Sequence, residues 1–317
     1  MTNSFETFKN EKVAIVHDSA SSLPDIYRIG YEGLVEVPFK LNTVVNGQDK
    51  TWSDNPFESD EEKNEFLYHL TAGQVLTSQP IPDDYQTVFE SIIKTGITEI
   101  AVIPMSKGMS GSMNSAEQAA EKLKDMANIS VADIKTVSMA QGLLVTQADI
   151  ENKRGEFDSA DEAVDRVNEL SKRVFAVQAF SDLEHLRRGG RIGKVGSVVG
   201  GAFNIIPIIG VNEEGILKTF EKKRGWKQAQ NAMIEYVSRN VGEKAVRLAI
   251  VHFEPDTVEL QALREAVDIK GFNIATEEVC SDGTEKKYDT LEGEEHMVLA
   301  THSGPGVIGV GALVVEK

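Results

Sequence analysis

The apolar and polar positions along the chain follow two different periods, and their alternation predicts an α/β protein. Short apolar runs at Val13–Val16, Glu99–Pro104 and Val246–Phe253 are typical of buried strands. Segments with apolar residues three and four positions apart predict helices, most clearly at Ser59–Ala72 and Trp226–Arg239. Strands that alternate with helices in this way favour a largely parallel sheet.

The length of the chain, 317 residues, favours two domains over one. A helical pattern ends near Lys172, and the next segment, Arg173–Phe180, has the apolar character of a strand. We therefore predict an N-terminal α/β domain over residues 1–172 and a second α/β domain over residues 173–317.

The segment after Met297 combines an apolar run with a glycine-rich loop. We predict Met297–Thr301 as the last buried strand, followed by His302 at the edge of the loop. Residues 304–309 match the pattern G-x-G-x-x-G, but a dinucleotide site also needs a following helix and an acidic residue about 20 positions on. Because the sequence reaches Lys317 too soon for either, we expect a loop that approaches another ligand closely. An ordinary tight turn is the alternative.

Two further loops are rich in hydroxyl groups. Leu76–Pro82 contains Thr77 and Ser78, and Ile103–Ala116 contains four serines around two glycines. Each loop precedes a helical pattern, and hydroxyls and free amides at a helix N-terminus favour an anion. Helix capping alone explains either loop taken singly. Together with the His302 loop, they indicate one shared anionic ligand.

Five motifs in this chain occur in the order found in the DegV family, which comprises the fatty-acid-binding subunits of the bacterial fatty acid kinase. These motifs are Val13–Ala20, Thr77–Pro80, Met109–Ser112, Leu186–Ile192 and His302–Gly306. The chain resembles this family from about Val13 to Val315. The resemblance implies a two-domain α/β fold with a largely parallel N-terminal sheet and one long-chain fatty acid between the domains.

The same resemblance implies which residues bind the fatty acid. The fatty-acid carboxylate would be bound by Thr77, Ser78, Ser110 and His302. Arg191, with Gly111 and Gly304, would lie near the head group or its phosphate. Neutral hydroxyls suit this role, since they hold a carboxylate without a permanent ion pair and leave its oxygen available for phosphorylation.

The resemblance also implies that the chain is a carrier and performs no catalysis. A separate ATP-binding kinase subunit would form the acyl phosphate, which then enters phospholipid synthesis, and the carrier would need no cofactor or metal. The apolar, glycine-rich stretch Ile192–Ile209 would pack near the lipid tail. Within it, Ile206 replaces a lysine common in the family, which weakens the expectation of phosphate contacts or partner docking.

Composition limits the other partners. A net charge of −17 argues against nucleic acid and against electrostatic docking on an anionic membrane. No run of 18 or more apolar residues predicts a transmembrane helix, and Met1–Asn10 lacks the features of a secretion signal. The single cysteine, Cys280, excludes an internal disulfide and fits the reducing cytoplasm, where we expect this protein to act. We assign Cys280 no role.

Two rival functions remain open. The first is an esterase or acyltransferase with Ser110 as nucleophile, although Ser112 stands where the G-x-S-x-G elbow needs glycine. The second is a lipid sensor, in which the bound lipid acts only as a signal. Autonomous ATP hydrolysis is disfavoured, because Gly189–Lys194 has the wrong glycine spacing for a P-loop.

The six histidines show none of the spacings typical of zinc sites. We predict His69 and His185, which lie in helical patterns, to be at the surface. His17 and His302 are predicted at strand ends, where ligand contacts concentrate in α/β sheets.

Overall fold

A computed structural model describes residues 12–27, 33–45, 47–55, 57, 59–192, 204–254, 257–279 and 285–315. Most of the glycine-rich stretch Ile192–Ile209 lies outside these residues, as do Cys280 and Met1–Asn10.

The described residues form fifteen strands and nine α-helices. The strands are β1 Val13–Asp18, β2 Leu34–Val37, β3 Lys40–Val45, β4 Gln48–Ser53, β5 Leu76–Ser78, β6 Glu99–Ile103, β7 Asn128–Val131, β8 Val174–Ala179, β9 Ile205–Val211, β10 Leu217–Arg224, β11 Val246–Phe253, β12 Thr276–Val279, β13 Glu285–Lys287, β14 Leu291–Glu294 and β15 Val307–Val314. The helices are α1 Asp60–Thr71, α2 Pro82–Ile93, α3 Ser112–Leu123, α4 Met139–Lys153, α5 Ala160–Leu170, α6 Glu184–Arg188, α7 Trp226–Val241, α8 Thr257–Lys270 and α9 Met297–Ser303.

A four-stranded parallel sheet forms the centre of the N-terminal half, in the order β2-β1-β6-β7. Strand β1 is buried on both faces, which explains the apolar run over its first four residues. Val13 and Ile15 pack in the cluster that contains α4 and α5, whereas Ala14 and Val16 pack in the cluster that contains α2 and α3. The predicted α/β fold with a parallel N-terminal sheet is confirmed.

The N-terminal half also contains a small antiparallel sheet in the order β4-β3-β5, whose Leu41 and Trp52 pack in a core cluster with Phe180 and Phe253. The sequence pattern predicts one strand over Val35–Val45, but the structure divides it into β2 and β3 at Pro38 and Phe39. Pro38 has no backbone N–H to donate to a neighbouring strand, which explains the break.

The C-terminal half contains a six-stranded sheet in the order β10-β9-β8-β15-β11-β14. Only the pairing of β11 with β14 is parallel among these strands. Helices α7 and α8 pack in the core cluster of this sheet. The last described strand, β15, occupies an interior position between β8 and β11.

Helix α4 connects the two halves physically. Thirteen of its fifteen residues are buried, which is typical of a helix enclosed on all sides. Leu143 and Val145 on this helix share one core cluster with Ile15 of β1 and with Val251 of β11. Both halves therefore contribute to one continuous core. The predicted domain boundary falls between α5 and β8 and remains a prediction.

The prediction of a strand at Met297–Thr301 is wrong, because these residues belong to helix α9. A short apolar run does not distinguish a buried strand from a buried helix. The helix ends at Gly304, where φ is +74° and the backbone N–H donates to the carbonyl of Ala300 at 2.9 Å. The glycine-rich loop is thus a helix C-terminus that leads into β15.

Candidate functional site

A cavity with about 660 Å³ of empty space, counting its open mouth, lies between the two halves of the molecule. Its wall combines apolar side chains with a limited set of polar groups, as in small-molecule sites. The apolar lining residues are Phe39, Met105, Met109, Val137, Phe180, Leu186, Leu217, Val298 and Leu299. The polar lining residues are Thr77, Gln79, Ser110, Ser138, Gln178, Arg191, Glu295, His302 and Ser303.

Thr77 and His302 meet at the cavity wall although 225 positions separate them in the chain. Thr77 Oγ1 lies 2.9 Å from His302 Nε2. Strand β5 carries Thr77, and the last turn of α9 carries His302. His302 is therefore in a helix, and its predicted position at a strand end is wrong.

Ser78 does not join this contact. Along β5, Thr77 is half-buried whereas Leu76 and Ser78 are exposed, as strand alternation requires. The Ser78 hydroxyl accepts a hydrogen bond from Asn42 Nδ2 at 2.9 Å and does not line the cavity. The structure therefore separates the two hydroxyls that the sequence places side by side.

The His302 ring is neutral at physiological pH. Burial, followed by the charge of Arg191 and the proximity of His185, lowers its pKa to about 4. Its Nδ1 atom is buried and has no hydrogen-bond partner among the described residues. We assign the proton to Nε2, since an unpaired buried acceptor costs less than an unpaired buried N–H. Nε2–H then donates to Thr77, whose hydroxyl proton is available to a ligand.

Two glycines make room for the imidazoles at this site. A Cβ at Gly189 would overlap His302 Nδ1, and a Cβ at Gly304 would overlap the ring of His185. His185 itself is half-buried and packs beneath the loop. Gly304 thus supports the site through close packing, and no direct ligand contact is needed to explain it.

Ser110 lines the cavity from the loop between β6 and α3. Its Oγ accepts a hydrogen bond from the backbone N–H of Ser112 at 3.2 Å. The other three serines of this loop region face protein partners. Ser106 donates to the carbonyl of Gly215, Ser112 donates to Asp18, and Ser115 accepts from Gln79.

Gln79 fixes the Ser110 loop to the end of β5. Its Oε1 accepts the backbone N–H of Gly111 at 2.8 Å, and a Cβ at Gly111 would lie 2.5 Å from this amide group. Gly111 therefore allows the two loops to pack closely, and its N–H donates to Gln79. Gln79 lies within the Thr77–Pro80 motif, but its residue type alone does not indicate a part in the site.

Arg191 also lines the cavity, with an exposed side chain. Its Nη1 donates to the carbonyl of Gly189 at 2.7 Å, which holds the guanidinium near the His302 ring. The structure therefore brings Thr77, Ser110, Arg191 and His302 to one cavity. Gly111 and Gly304 lie in the supporting loops, and Ser78 lies outside.

Comparisons with known proteins identify the family of this chain. The family model for DegV, described as an uncharacterised protein of the DegV family, matches residues 12–315. The chain belongs to the DegV family. A DegV domain-containing protein of Caldanaerobacter subterraneus subsp. tengcongensis is 33% identical over 306 residues, which cover 95% of this chain and 98% of that protein.

Solved DegV-family structures share the fold over nearly the full length. A fatty-acid-binding DegV protein of Thermus thermophilus is 25% identical, with a TM-score of 0.78 over 96% of this chain and 100% of the other. The fatty acid kinase B3 protein of Streptococcus pneumoniae, loaded with linoleic acid, is 20% identical, with a TM-score of 0.75 over 96% and 100% of the two chains. The predicted membership of the DegV family is confirmed.

Two buried carboxyl groups of this DegV protein were not expected from the sequence. Asp18 follows the buried run of β1 and accepts hydrogen bonds from Ser112 Oγ at 2.6 Å, Gln141 Nε2 at 2.9 Å and the Met105 N–H at 3.0 Å. Burial raises the pKa of Asp18. Asp18 thereby holds both ends of the loop that carries Ser110.

Glu295 is the second buried carboxyl group and lies in the cavity wall. Burial raises its pKa, although three hydrogen bonds oppose this effect. The sequence signal was a charged triplet, Glu294-Glu295-His296, directly before an apolar run. Because charged residues are almost always exposed, this signal did not indicate a cavity residue.

The prediction that His69 lies at the surface is wrong. Its side chain is buried, and its Nδ1 lies 2.8 Å from Gln74 Oε1.

Among the described residues, no group of acidic, histidine or cysteine side chains has the arrangement of a metal site. Likewise, the described helices include none with the length and apolar character needed to span a membrane.

Proposed function

We propose that this DegV protein binds one long-chain fatty acid in the cavity between its halves and presents the carboxylate to a separate ATP-dependent kinase subunit. The observation that carries the proposal is the contact between Thr77 and a neutral His302 in the cavity wall. This contact leaves the Thr77 hydroxyl free to donate to an anion. Such a local donor is needed because the net charge of the protein, −17, does not attract anions.

The relatives support this reading. The DegV protein of Thermus thermophilus is described as binding fatty acid, and the Streptococcus pneumoniae protein of the same fold was loaded with linoleic acid. In the present chain, Thr77 and Ser110 would donate to the carboxylate, and Arg191 would lie beside the head group or its phosphate. Ser78 would contribute no side-chain donor, because it is exposed and does not line the cavity.

The acyl tail would supply most of the affinity. Each buried CH₂ contributes about 0.8 kcal/mol, whereas a neutral hydrogen bond contributes about 0.5–1.5 kcal/mol. The polar groups therefore orient the carboxylate, and the apolar wall retains the lipid. The proposal assigns no bond-making step to this chain. In particular, the hydrogen bond described for the Ser110 hydroxyl is the one it accepts from the Ser112 N–H, and no histidine of the described residues bonds to it as a base.

Native mass spectrometry of the purified protein tests the binding step. We expect a mass excess equal to one fatty acid, which organic extraction identifies. Thr77→Val with Ser110→Ala should reduce the bound fraction, because both donors are lost. Ser78→Ala is the matched control and should leave it unchanged. An empty protein that also takes up no added fatty acid would sink the proposal.

A second assay tests the role of carrier. The lipid-loaded protein is mixed with ATP and the catalytic subunit of a bacterial fatty acid kinase, and hydroxylamine traps any acyl phosphate. We expect acyl hydroxamate only when all three components are present. Lipid binding without hydroxamate would favour the sensor. Turnover of an activated ester without the kinase, lost in Ser110→Ala, would favour the esterase.

A further inference from the structure

A second set of polar side chains lines the cavity and is separate from the predicted head-group residues. Ser138, Gln178, Glu295 and Ser303 form this set, called here the inner polar cluster. Glu295 Oε1 accepts from Gln178 Nε2 at 2.6 Å and from Ser138 Oγ at 3.1 Å. Glu295 Oε2 accepts from Ser303 Oγ at 2.6 Å. The cluster is thus centred on one carboxyl group.

The inner polar cluster is costly to maintain. Glu295 is only 4% exposed, and burial of a carboxyl group is unfavourable even when hydrogen bonds compensate for it. Ser138 adopts φ 61° and ψ −152°, a backbone conformation that almost only glycine adopts without strain. Burial and strain at one point of a cavity wall are typical of a functional site.

The cluster lies in a wall that the cavity shares with a second one. The second cavity has about 450 Å³ of empty space, and its wall includes Ala176, Ile209, Val251 and Val310. The two cavities share four lining residues, and two of these belong to the inner polar cluster. The shared residues are Val137, Ser138, Gln178 and Leu217. Ser138 and Gln178 therefore lie in the wall that borders both cavities.

The hydrogen-bond count of Glu295 leaves room for one more partner. A carboxylate has about four acceptor positions, and the cluster fills two at Oε1 and one at Oε2. A plain alkyl chain would place methylene groups against the remaining position. A ligand hydroxyl group would donate a hydrogen bond to this position when Glu295 is ionised, or would accept one from the carboxyl O–H when Glu295 is neutral.

We propose that the preferred ligand is a long-chain fatty acid that carries a hydroxyl group part-way along its chain, recognised by Glu295 and the inner polar cluster. This inference rests on the proposed function, since the carboxylate still binds at Thr77. It adds a second point of recognition, which fixes the distance between carboxylate and hydroxyl.

Competitive binding of stearate and a set of hydroxystearates, which differ in the position of the hydroxyl, tests the inference. We expect one positional isomer to bind about tenfold more tightly than stearate, as a charge-assisted hydrogen bond allows. Equal affinities for stearate and every isomer would overturn the inference while leaving the proposed function intact. Failure to bind any of these lipids would refute both.

Two substitutions at one position show whether Glu295 is responsible. Glu295→Met removes the acceptor and should bring the affinity ratio close to one while stearate still binds. Glu295→Gln keeps the size of the side chain but removes its charge, and should lower the ratio several-fold. Glu151→Gln is the matched control, since Glu151 is a buried glutamate paired with Arg166 away from the cavity. A ratio that stays at the wild-type value in both Glu295 variants would overturn the assignment.

Discussion

His302 shows how one residue acquires its properties from several distant segments. Its ring bonds to Thr77, packs against Gly189 and lies near the positive charge of Arg191. None of these neighbours is close to His302 in the sequence. The neutral state of the ring and the direction of its proton are therefore consequences of tertiary structure, although the residue itself was found from its motif.

Gly189→Ala tests the packing requirement at this ring. The backbone at Gly189 has φ −72°, which alanine adopts without strain, so the effect comes from the overlap of the new Cβ with His302. We expect fatty-acid affinity to fall about as far as in His302→Ala. Gly190→Ala is the control, because its φ of +70° strains the backbone while its Cβ meets open space. Gly190→Ala should lower the melting temperature but preserve affinity. Loss of affinity in Gly190→Ala with unchanged affinity in Gly189→Ala would contradict the role of Gly189 in packing against His302.

His302 also predicts a pH dependence of stability. Its pKa is about 4 in the folded protein and about 6.5 in the unfolded chain, so the unfolded chain binds more protons between these values. Stability should therefore rise as the pH increases from 4 to 6.5, by at most about 3 kcal/mol. Asp18 and Glu295, whose pKa values are raised, act in the opposite direction.

The difference between wild type and His302→Gln isolates the contribution of His302. Urea denaturation at each pH gives the free energy of unfolding of both proteins. We expect the free energy of unfolding of the wild type to rise relative to that of His302→Gln as the pH increases from 4 to 6.5. Parallel curves would show that folding does not lower the pKa of the ring.

At the scale of elements, α4 begins at a strained residue. Ser138 precedes its first turn, and its backbone N–H donates to the carbonyl of Ala20 at 2.8 Å. This bond and the side-chain bond to Glu295 hold Ser138 in an unfavourable conformation. The start of the central helix is thus tied to both halves of the molecule.

The strain at Ser138 is measurable with two substitutions. Ser138→Ala and Ser138→Gly both remove the hydroxyl, but only glycine adopts φ 61° and ψ −152° easily. Thermal unfolding should show Ser138→Gly to be more stable than Ser138→Ala by about 1–2 kcal/mol. Equal stability would mean that the residue relaxes to another conformation.

The elements were predictable where one periodicity dominated. Strand β11 and helices α1 and α7 follow from their apolar patterns to within a few residues. Helix α9 was mistaken for a strand, because its short run of apolar residues fits either structure. The position of Ser78 was within reach of the sequence: once β5 is a strand, Thr77 and Ser78 must face opposite sides.

The site was less predictable than the elements. The motifs indicated Thr77, Ser110, Arg191 and His302, and the structure brings these four residues to one cavity. The inner polar cluster could not be predicted from the sequence, because it forms through contacts between distant segments. A positive φ at a serine and a buried glutamate leave no signal in composition or periodicity.

At the scale of the whole molecule, the shared core predicts cooperative unfolding. The cluster around α4 includes Ile15 from the N-terminal half and Val251 from the C-terminal half. We expect one unfolding transition in urea, at which circular dichroism and the fluorescence of the two tryptophans coincide. Leu143→Ala, in the middle of α4, should shift both signals together and cost about 2–5 kcal/mol. Two separate transitions would show that the halves fold independently.

The interior position of β15 has a consequence for the order of events on the ribosome. Its neighbours β8 and β11 are translated earlier, yet both need β15 to complete their hydrogen bonds. His302, just upstream of this strand, is likewise made about 225 residues after its partner Thr77. The nascent chain therefore carries two unfinished strand edges until β15 has emerged. The contact between Thr77 and His302 in the cavity wall therefore forms only after this late part of the chain has been made.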